Sequence, residues 1–147
     1  MMDEKDKKIL NVMIDNSRLS LRKIAEKTGL SVATVMHRVN ELGKAGIIKK
    51  HSSVVDYDKL GYDIHVLIDV RISKGRLFDV EKKVATHPNV YAVYDHTGRS
   101  DATVLARFRN KKSMDIFLKT LQSYDFVERT ETKLILNTLK EEQIKIK

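Results

Sequence analysis

Apolar side chains recur every three or four residues in the first third of the chain, and this period predicts helices. A first helix is predicted from Asp3 to Asn16, with acidic residues in its first turn, where the helix dipole favours them. Ser20 and Ser31 are suited to start a second and a third helix, because a serine hydroxyl accepts a hydrogen bond from a free backbone N–H. Gly29 would end the second helix, and the third would run to about Lys44.

From Tyr62 onward the apolar period falls to two, which is typical of strands. The alternation is clearest up to Ile72, and similar segments begin at Val90, Ala102 and Val127, with helical patterns between them. The last segment is predicted to run to Leu139. The order β-α-β-β-α-β predicts a ferredoxin-like fold, in which two helices cover one face of a four-stranded antiparallel sheet. The other face needs a cover of its own, and a second subunit is the obvious candidate.

A β-prone stretch lies between these two patterns and is followed by a turn at residues 56–61. The sequence therefore predicts an α+β protein with three parts. They are an N-terminal helix-turn-helix, winged-helix-like domain (residues 1–46), a hinge strand and linker (47–61), and a ferredoxin-like βαββαβ domain (62–147). Each domain alone is small enough to be marginally stable, so we expect oligomerisation to add buried area.

The relative positions of Ala25, Gly29 and Val35 identify the helix-turn-helix. Ala25 stands where two helices must approach closely, Gly29 follows at the turn, and Val35 lies where the next helix must point back into the core. The third helix of the chain would then enter the major groove of DNA. A three-helix protein-interaction module with a basic solvated face is the alternative interpretation.

Two sets of side chains are predicted to contact DNA. Serine, threonine, arginine and histidine can all bond base edges or phosphates, and the start of the third helix should reach the bases. The predicted base contacts are Ser31, Thr34, His37 and Arg38. Flanking cations should bind phosphates, which fixes the register without reading sequence. These are Arg22, Lys23, Lys49 and Lys50.

The net charge of +8 at pH 7 favours a polyanionic partner, although a merely solubilising charge is an alternative. Residues 1–50 carry 11 Lys/Arg against 6 Asp/Glu, so most of the excess lies in the predicted DNA-binding part. Cysteine is absent, which excludes disulfides and thiolate chemistry. No apolar leader or membrane-length run is visible, so we expect a cytoplasmic protein with no membrane partner.

No set of residues with catalytic spacing can be nominated. The chain has no glycine-rich phosphate loop, and its five histidines are scattered. We therefore expect neither an enzyme nor a metal site, and no cofactor.

The same residues resemble the Lrp/AsnC, or feast/famine, family of bacterial and archaeal transcription regulators. The matching positions are Asp6, Ile9-Leu10, Ile24-Ala25, Gly29-Leu30-Ser31, Thr34-Val35, Arg38-Val39, Leu42, Gly46-Ile47-Ile48 and Leu60-Gly61. The resemblance implies homodimers paired through the C-terminal sheets, often assembled into octamers. It also implies a small effector, usually an amino acid, bound between neighbouring dimers.

A family loop of the form Thr-Gly-Asp-Tyr-Asp lies near that effector, and here the loop is Thr97-Gly98-Arg99-Ser100-Asp101. We expect Thr97, Gly98 and Asp101 to shape the pocket. Arg99 replaces an acid and would favour an anionic or neutral effector, while Ser100 replaces an aromatic residue. The alternatives are that Arg99 is only a solvated charge, or that the change abolishes effector binding.

The sequence thus predicts a sequence-specific regulator whose binding to double-stranded DNA is modulated by a small effector. An effector-independent architectural DNA-binding protein is one alternative, and it would show steep salt dependence without a preferred site. The other is an effector-sensing regulatory subunit of a metabolic enzyme, whose helical domain docks onto a protein.

Overall fold

A computed structural model describes residues 2–147, which form two compact units. The first unit comprises the residues up to Val54 together with Lys140–Lys147, and the second is Val55–Leu139. The predicted linker, residues 47–61, is therefore divided between the two units. The end of the chain belongs to the helical unit, which the sequence did not indicate.

The first unit contains the three predicted helices. They are α1 (Glu4–Asp15), α2 (Leu21–Thr28) and α3 (Val32–Lys44). Ser20 Oγ and Ser31 Oγ accept hydrogen bonds from the backbone N–H groups of Lys23 and Thr34, which caps α2 and α3. Gly29 ends α2 with φ of 70°, a left-handed geometry that glycine adopts without strain. The local chemistry of these residues thus sets the helix-turn-helix boundaries.

The three helices share a small apolar core. Ile9, Ile24 and Val35, one from each helix, are fully or almost fully buried in it. Ala25 is also buried, as the close approach of α2 to its neighbours requires. The core confirms the predicted inward positions of Ala25 and Val35.

The last residues of the chain bind α1. The Asn11 side-chain amide donates to the Ile146 carbonyl (2.9 Å), and its Oδ1 accepts from the Ile146 N–H (2.8 Å). Lys145 Nζ donates to the Asn11 carbonyl (2.9 Å) and forms an ion pair with Asp15. The C-terminal segment is therefore an integral part of the helical unit.

The second unit is the predicted ferredoxin-like βαββαβ fold. Its elements are β1 (Ile64–Ile72), α4 (Leu77–Lys83), β2 (Val90–Asp95), β3 (Ala102–Phe108), α5 (Lys111–Ser123) and β4 (Val127–Leu134). The strands form one antiparallel sheet in the order β2-β3-β1-β4. Val66, Ile68 and Val70 of β1 point into the core, where Phe117 of α5 and the buried Phe126 also pack.

The opposite face of the sheet is mixed. It carries Leu67, Asp69 and Arg71 of β1, and His65 on the same side is buried. Along the β1–β4 pair, Arg71 lies directly opposite Arg129. This face has no covering helix in the unit.

Two predicted strand segments are not formed. Residues 49–56 have no regular secondary structure, and β4 ends at Leu134 and not at residue 139. A strand requires hydrogen bonds to a neighbouring strand, and β-propensity alone cannot supply them. Val54, Leu136 and Leu139 accordingly have exposed side chains.

Candidate nucleic-acid interface and ligand recess

The exposed face of α3 begins at its capped N-terminus. Val35 is buried, so the side chains on the other side of the helix face solvent. Val32 and Met36 are 44% and 49% exposed, and His37 beside them is also exposed. This face offers both apolar groups and a polar ring to a ligand.

The hydroxyls at the start of α3 hydrogen-bond to each other. Ser31 Oγ donates to Thr34 Oγ1 (2.8 Å) and accepts from the Thr34 N–H (3.1 Å). Their role in the cap fixes both side chains at the helix end that carries the positive pole of the dipole. A helix start arranged in this way favours an approaching anion such as a phosphate.

Arg38 is bound by the N-terminus of α1. Its Nη1 donates to both carboxylate oxygens of Asp3 (2.7 Å each) and to Asp6 Oδ1 (3.0 Å). Asp6 is buried, and its other oxygen accepts from the Asp3 N–H (3.0 Å). The Asp6 backbone N–H and then the Arg38 guanidinium lower the pKa of Asp3 from its ordinary 3.8 to about 2. Arg38 is therefore held as part of the α1–α3 packing, and a base would have to displace two carboxylates to bind it.

The four predicted phosphate-binding cations differ in whether they already form an ion pair. Lys23 forms an exposed ion pair with Glu26 (3.1 Å). Arg22, Lys49 and Lys50 are exposed and make no ion pair with any residue between 2 and 147. Three of the four can therefore bind a phosphate without losing an existing partner.

The predicted effector loop is anchored to the end of β1 by Asp101. Its Oδ2 accepts from the Ile72 N–H (2.7 Å), and its own N–H donates to the Val70 carbonyl (3.0 Å). Gly98 has φ of 119°, which side-chain-bearing residues rarely adopt. Asp101 and Gly98 thus shape the loop through the backbone.

The loop borders a recess of about 770 Å³ on the mixed face of the sheet. Gly98, Arg99 and Ser100 line it from the loop, whereas Thr97 and Asp101 do not. Its charged lining comprises Arg71, Arg99, Arg129, Lys133, Asp69 and Glu131. The structure therefore places part of the predicted loop beside cations of β1 and β4.

Other kinds of site are not formed by the described residues. Nowhere in residues 2–147 do three or more His, Asp or Glu side chains come together closely enough to hold a metal ion. Over the same part of the chain, no helix has the length and apolarity to cross a bilayer.

Two family models match successive parts of the chain. A winged helix-turn-helix DNA-binding model matches residues 2–49, and the Lrp/AsnC ligand binding domain matches residues 65–144. The chain belongs to the Lrp/AsnC family of transcriptional regulators. It is accordingly a regulator with a DNA-binding helix-turn-helix and a ligand-binding domain, as the resemblance implied.

Relatives and solved structures cover nearly the whole chain of this Lrp/AsnC regulator. An uncharacterized HTH-type transcriptional regulator of Pyrococcus furiosus is 36% identical over 141 residues, which is 96% of this chain and 95% of the relative. The HTH-type transcriptional regulator FL11 of Pyrococcus horikoshii is 34% identical over 95% of this chain and 93% of its own. Escherichia coli AsnC has a TM-score of 0.90 at 25% identity, covering 99% of both chains.

One similar structure contains a ligand. It is a transcriptional regulator of Neisseria meningitidis in complex with L-Met, with a TM-score of 0.91 at 26% identity. The match covers 97% of this chain and 94% of that one.

Some residues of both surfaces were missed by the sequence analysis. Val32 and Met36 were not among the predicted contacts because both are apolar, although their spacing of four residues puts them on one face. Arg71 could have been found from the alternation in β1. Arg129 could not, since its position depends on the pairing of β4 with β1.

Proposed function

We propose that this regulator binds specific DNA sites by placing α3 in the major groove, and that a small effector bound to the second unit modulates this binding. The observation that carries the proposal is the exposed face of α3, where apolar and polar side chains stand side by side next to a capped helix start. A surface that bound only phosphates would not require the exposed apolar side chains of Val32 and Met36.

Base recognition would combine two kinds of contact. Val32 and Met36 can pack against the C5-methyl groups of thymine, and His37 and Thr34 can hydrogen-bond to base edges or phosphates. Ser31 would contribute mainly through the helix start that it caps. These contacts would read the sequence, because methyl groups and base edges differ between base pairs.

Arg38 remains a predicted base contact, but its structural partners change what is expected of it. Its guanidinium already satisfies Asp3 and Asp6, so its direct contribution to base recognition would be smaller than that of a free arginine. Its main effect would be to fix α3 against α1, which positions the other recognition residues.

Affinity would come mainly from Arg22, Lys49 and Lys50, with Lys23 contributing after it exchanges Glu26 for a phosphate. A homodimer or larger even assembly would present two copies of α3 to a two-fold symmetric site. The half-sites would then lie about 34–36 Å apart, or a multiple of that distance. The part of the mixed face that lies outside the recess carries His65 and Leu67, and it is the surface through which a second copy would pair.

The effector is proposed to bind at the recess beside the loop of Gly98 and Arg99. Support comes from the match to a ligand-binding domain and from a structural relative that contains L-Met. Coupling between such a ligand and DNA is typically worth about 1–3 kcal/mol.

Selection of binding sites from a random DNA pool tests the proposal, with and without a mixture of the twenty amino acids. We expect a palindromic site to be enriched and its affinity to change when the amino acids are present. Binding without enrichment would favour an architectural protein, and no binding at low salt would favour the protein-docking alternative.

Two variants separate recognition from phosphate binding. Met36→Ala should cost about 1–3 kcal/mol on the selected site and little on random DNA. Lys49→Gln should weaken both kinds of DNA alike and lower the salt slope by about one. Equal losses on both DNAs for Met36→Ala would contradict the placement of α3.

A further inference from the structure

The recess beside the effector loop has an excess of positive charge. Four of its charged lining residues are cations and two are acids, namely Asp69 and Glu131. Asp69 is already engaged, since it accepts from Lys133 Nζ (2.7 Å) and from Thr103 Oγ1 (2.9 Å). The Lys133 ammonium in turn lowers the pKa of Asp69, so this pair stays ionised and neutral as a whole.

The remaining guanidinium groups are incompletely paired. Arg99 and Arg129 form no ion pair with any of the described residues, and Arg71 reaches only Glu128, at 3.7 Å. Asp101, the acid of the loop, is bound to the backbone N–H of Ile72 and does not line the recess. The neighbouring acids, Glu128 and Glu131, therefore offset only part of the positive charge of these three arginines.

The register of the sheet adds a second and independent observation. Arg71 and Arg129 are direct cross-strand partners between β1 and β4, and like charges in such positions repel each other. An anion bound between them would relieve this repulsion. A guanidinium is also the side chain best suited to hold a carboxylate through two parallel hydrogen bonds.

We propose that this recess selects a small molecule with two carboxylates, held by Arg99 on the loop and by the Arg71–Arg129 pair on the sheet. The proposal rests on the effector site proposed above and names its ligand class. Two sources have this chemistry, an acidic amino acid and a 2-oxo dicarboxylic acid. Glu131 distinguishes them, because its carboxylate can accept a hydrogen bond from the ammonium group of an amino acid but cannot donate one to a ketone oxygen.

Calorimetric titration of the full chain, without DNA, tests the proposal. The ligands are L-glutamate, 2-oxoglutarate, L-lysine and L-methionine at fixed ionic strength. We expect at least one dicarboxylate to bind about tenfold or more tightly than L-lysine and L-methionine, which is the effect of one charge-assisted hydrogen bond. Tighter binding of L-glutamate than of 2-oxoglutarate, reduced by Glu131→Gln, would identify the amino acid as the ligand.

Variants locate the bound molecule. Arg129→Gln should weaken dicarboxylate binding about tenfold, and Arg99→Glu should abolish it and improve binding of L-lysine. Lys119→Gln is the matched control, because it removes one exposed positive charge from α5, on the other side of the sheet. It should leave the affinity for the dicarboxylate unchanged. Thermal melts of all variants would show that they are folded.

The ligand titration and the DNA selection can fail independently of each other. If L-lysine or L-methionine binds best, or if no dicarboxylate binds, this proposal is wrong even where a DNA site has been selected. If a dicarboxylate binds as expected but no DNA site is enriched, the ligand class stands and the DNA-binding proposal fails.

Discussion

Replacing Asp6 with alanine should destabilise the helical unit more than replacing any exposed charged residue of α1 with alanine. Asp6 belongs to a capping box at the start of α1, in which its carboxylate accepts from the Asp3 N–H while Asp3 accepts from the Asp6 N–H. Its second oxygen accepts from Arg38 on α3. One buried carboxylate thus links the start of one helix to the middle of another.

The magnitude follows from the two interactions that are lost. A capping hydrogen bond is typically worth about 1 kcal/mol. Removal of a buried, hydrogen-bonded acceptor generally costs about 1–3 kcal/mol, because its donors lose their partner. The contributions overlap, since Asp3 still holds Arg38, so we expect Asp6→Ala to lower the free energy of unfolding by about 2 kcal/mol.

Urea unfolding followed by far-UV circular dichroism measures this change. Glu4→Ala is the control, since the Glu4 side chain is 79% exposed and its ion pair with Lys7 is a surface pair worth at most about 0.5–1 kcal/mol. Asp6→Asn should fall between the two, because an amide oxygen still accepts one hydrogen bond. A loss for Asp6→Ala no larger than that for Glu4→Ala would refute the assigned role of Asp6.

Four further predictions concern the helical unit. The stabilisation by the Asp3 carboxylate should be complete above its ordinary pKa of 3.8 and should disappear as the pH falls towards 2, so wild type and Asp3→Asn should converge in unfolding titrations over that range. Gly29→Ala should destabilise by about 1–2 kcal/mol because of the left-handed backbone at that position. Gly43 lies in α3 with open space around it, so Gly43→Ala should raise the stability of the protein by about 0.5–1 kcal/mol. Thermal melts of the two glycine variants test both expectations. Asn11→Ala should release the C-terminal segment, seen as faster amide exchange of Ile146.

The elements that the sequence predicted well depend on local chemistry. Ser20, Ser31 and Gly29 determine helix ends through their own hydrogen bonds and backbone angles, which need no distant partner. The alternation from Ile64 to Ile72 likewise follows from the two faces of a strand. These features are encoded within a few residues and so are visible in a single sequence.

The features that the sequence could not predict depend on contacts between distant segments. The hydrogen bonds of Asn11 to Ile146 join residues 135 positions apart, and no local pattern indicates them. Arg129 faces Arg71 only because of the register between β1 and β4, which includes an irregularity between Arg71 and Ile72. The acids that hold Arg38 lie 32 and 35 residues away, at the start of another helix.

Arg38 also changes what should govern recognition of DNA. Because Asp3 and Asp6 neutralise it, the exposed face of α3 is left with mostly uncharged groups such as Val32 and Met36. Phosphate contacts by cations release counterions and weaken steeply with salt, whereas apolar contacts to bases do not. The affinity for any DNA should therefore fall with salt, while the ratio between selected and random DNA should stay nearly constant. A ratio that falls with salt as steeply as the affinity would mean that a charged side chain reads the bases, and Arg38 would then have to leave its carboxylates in the complex.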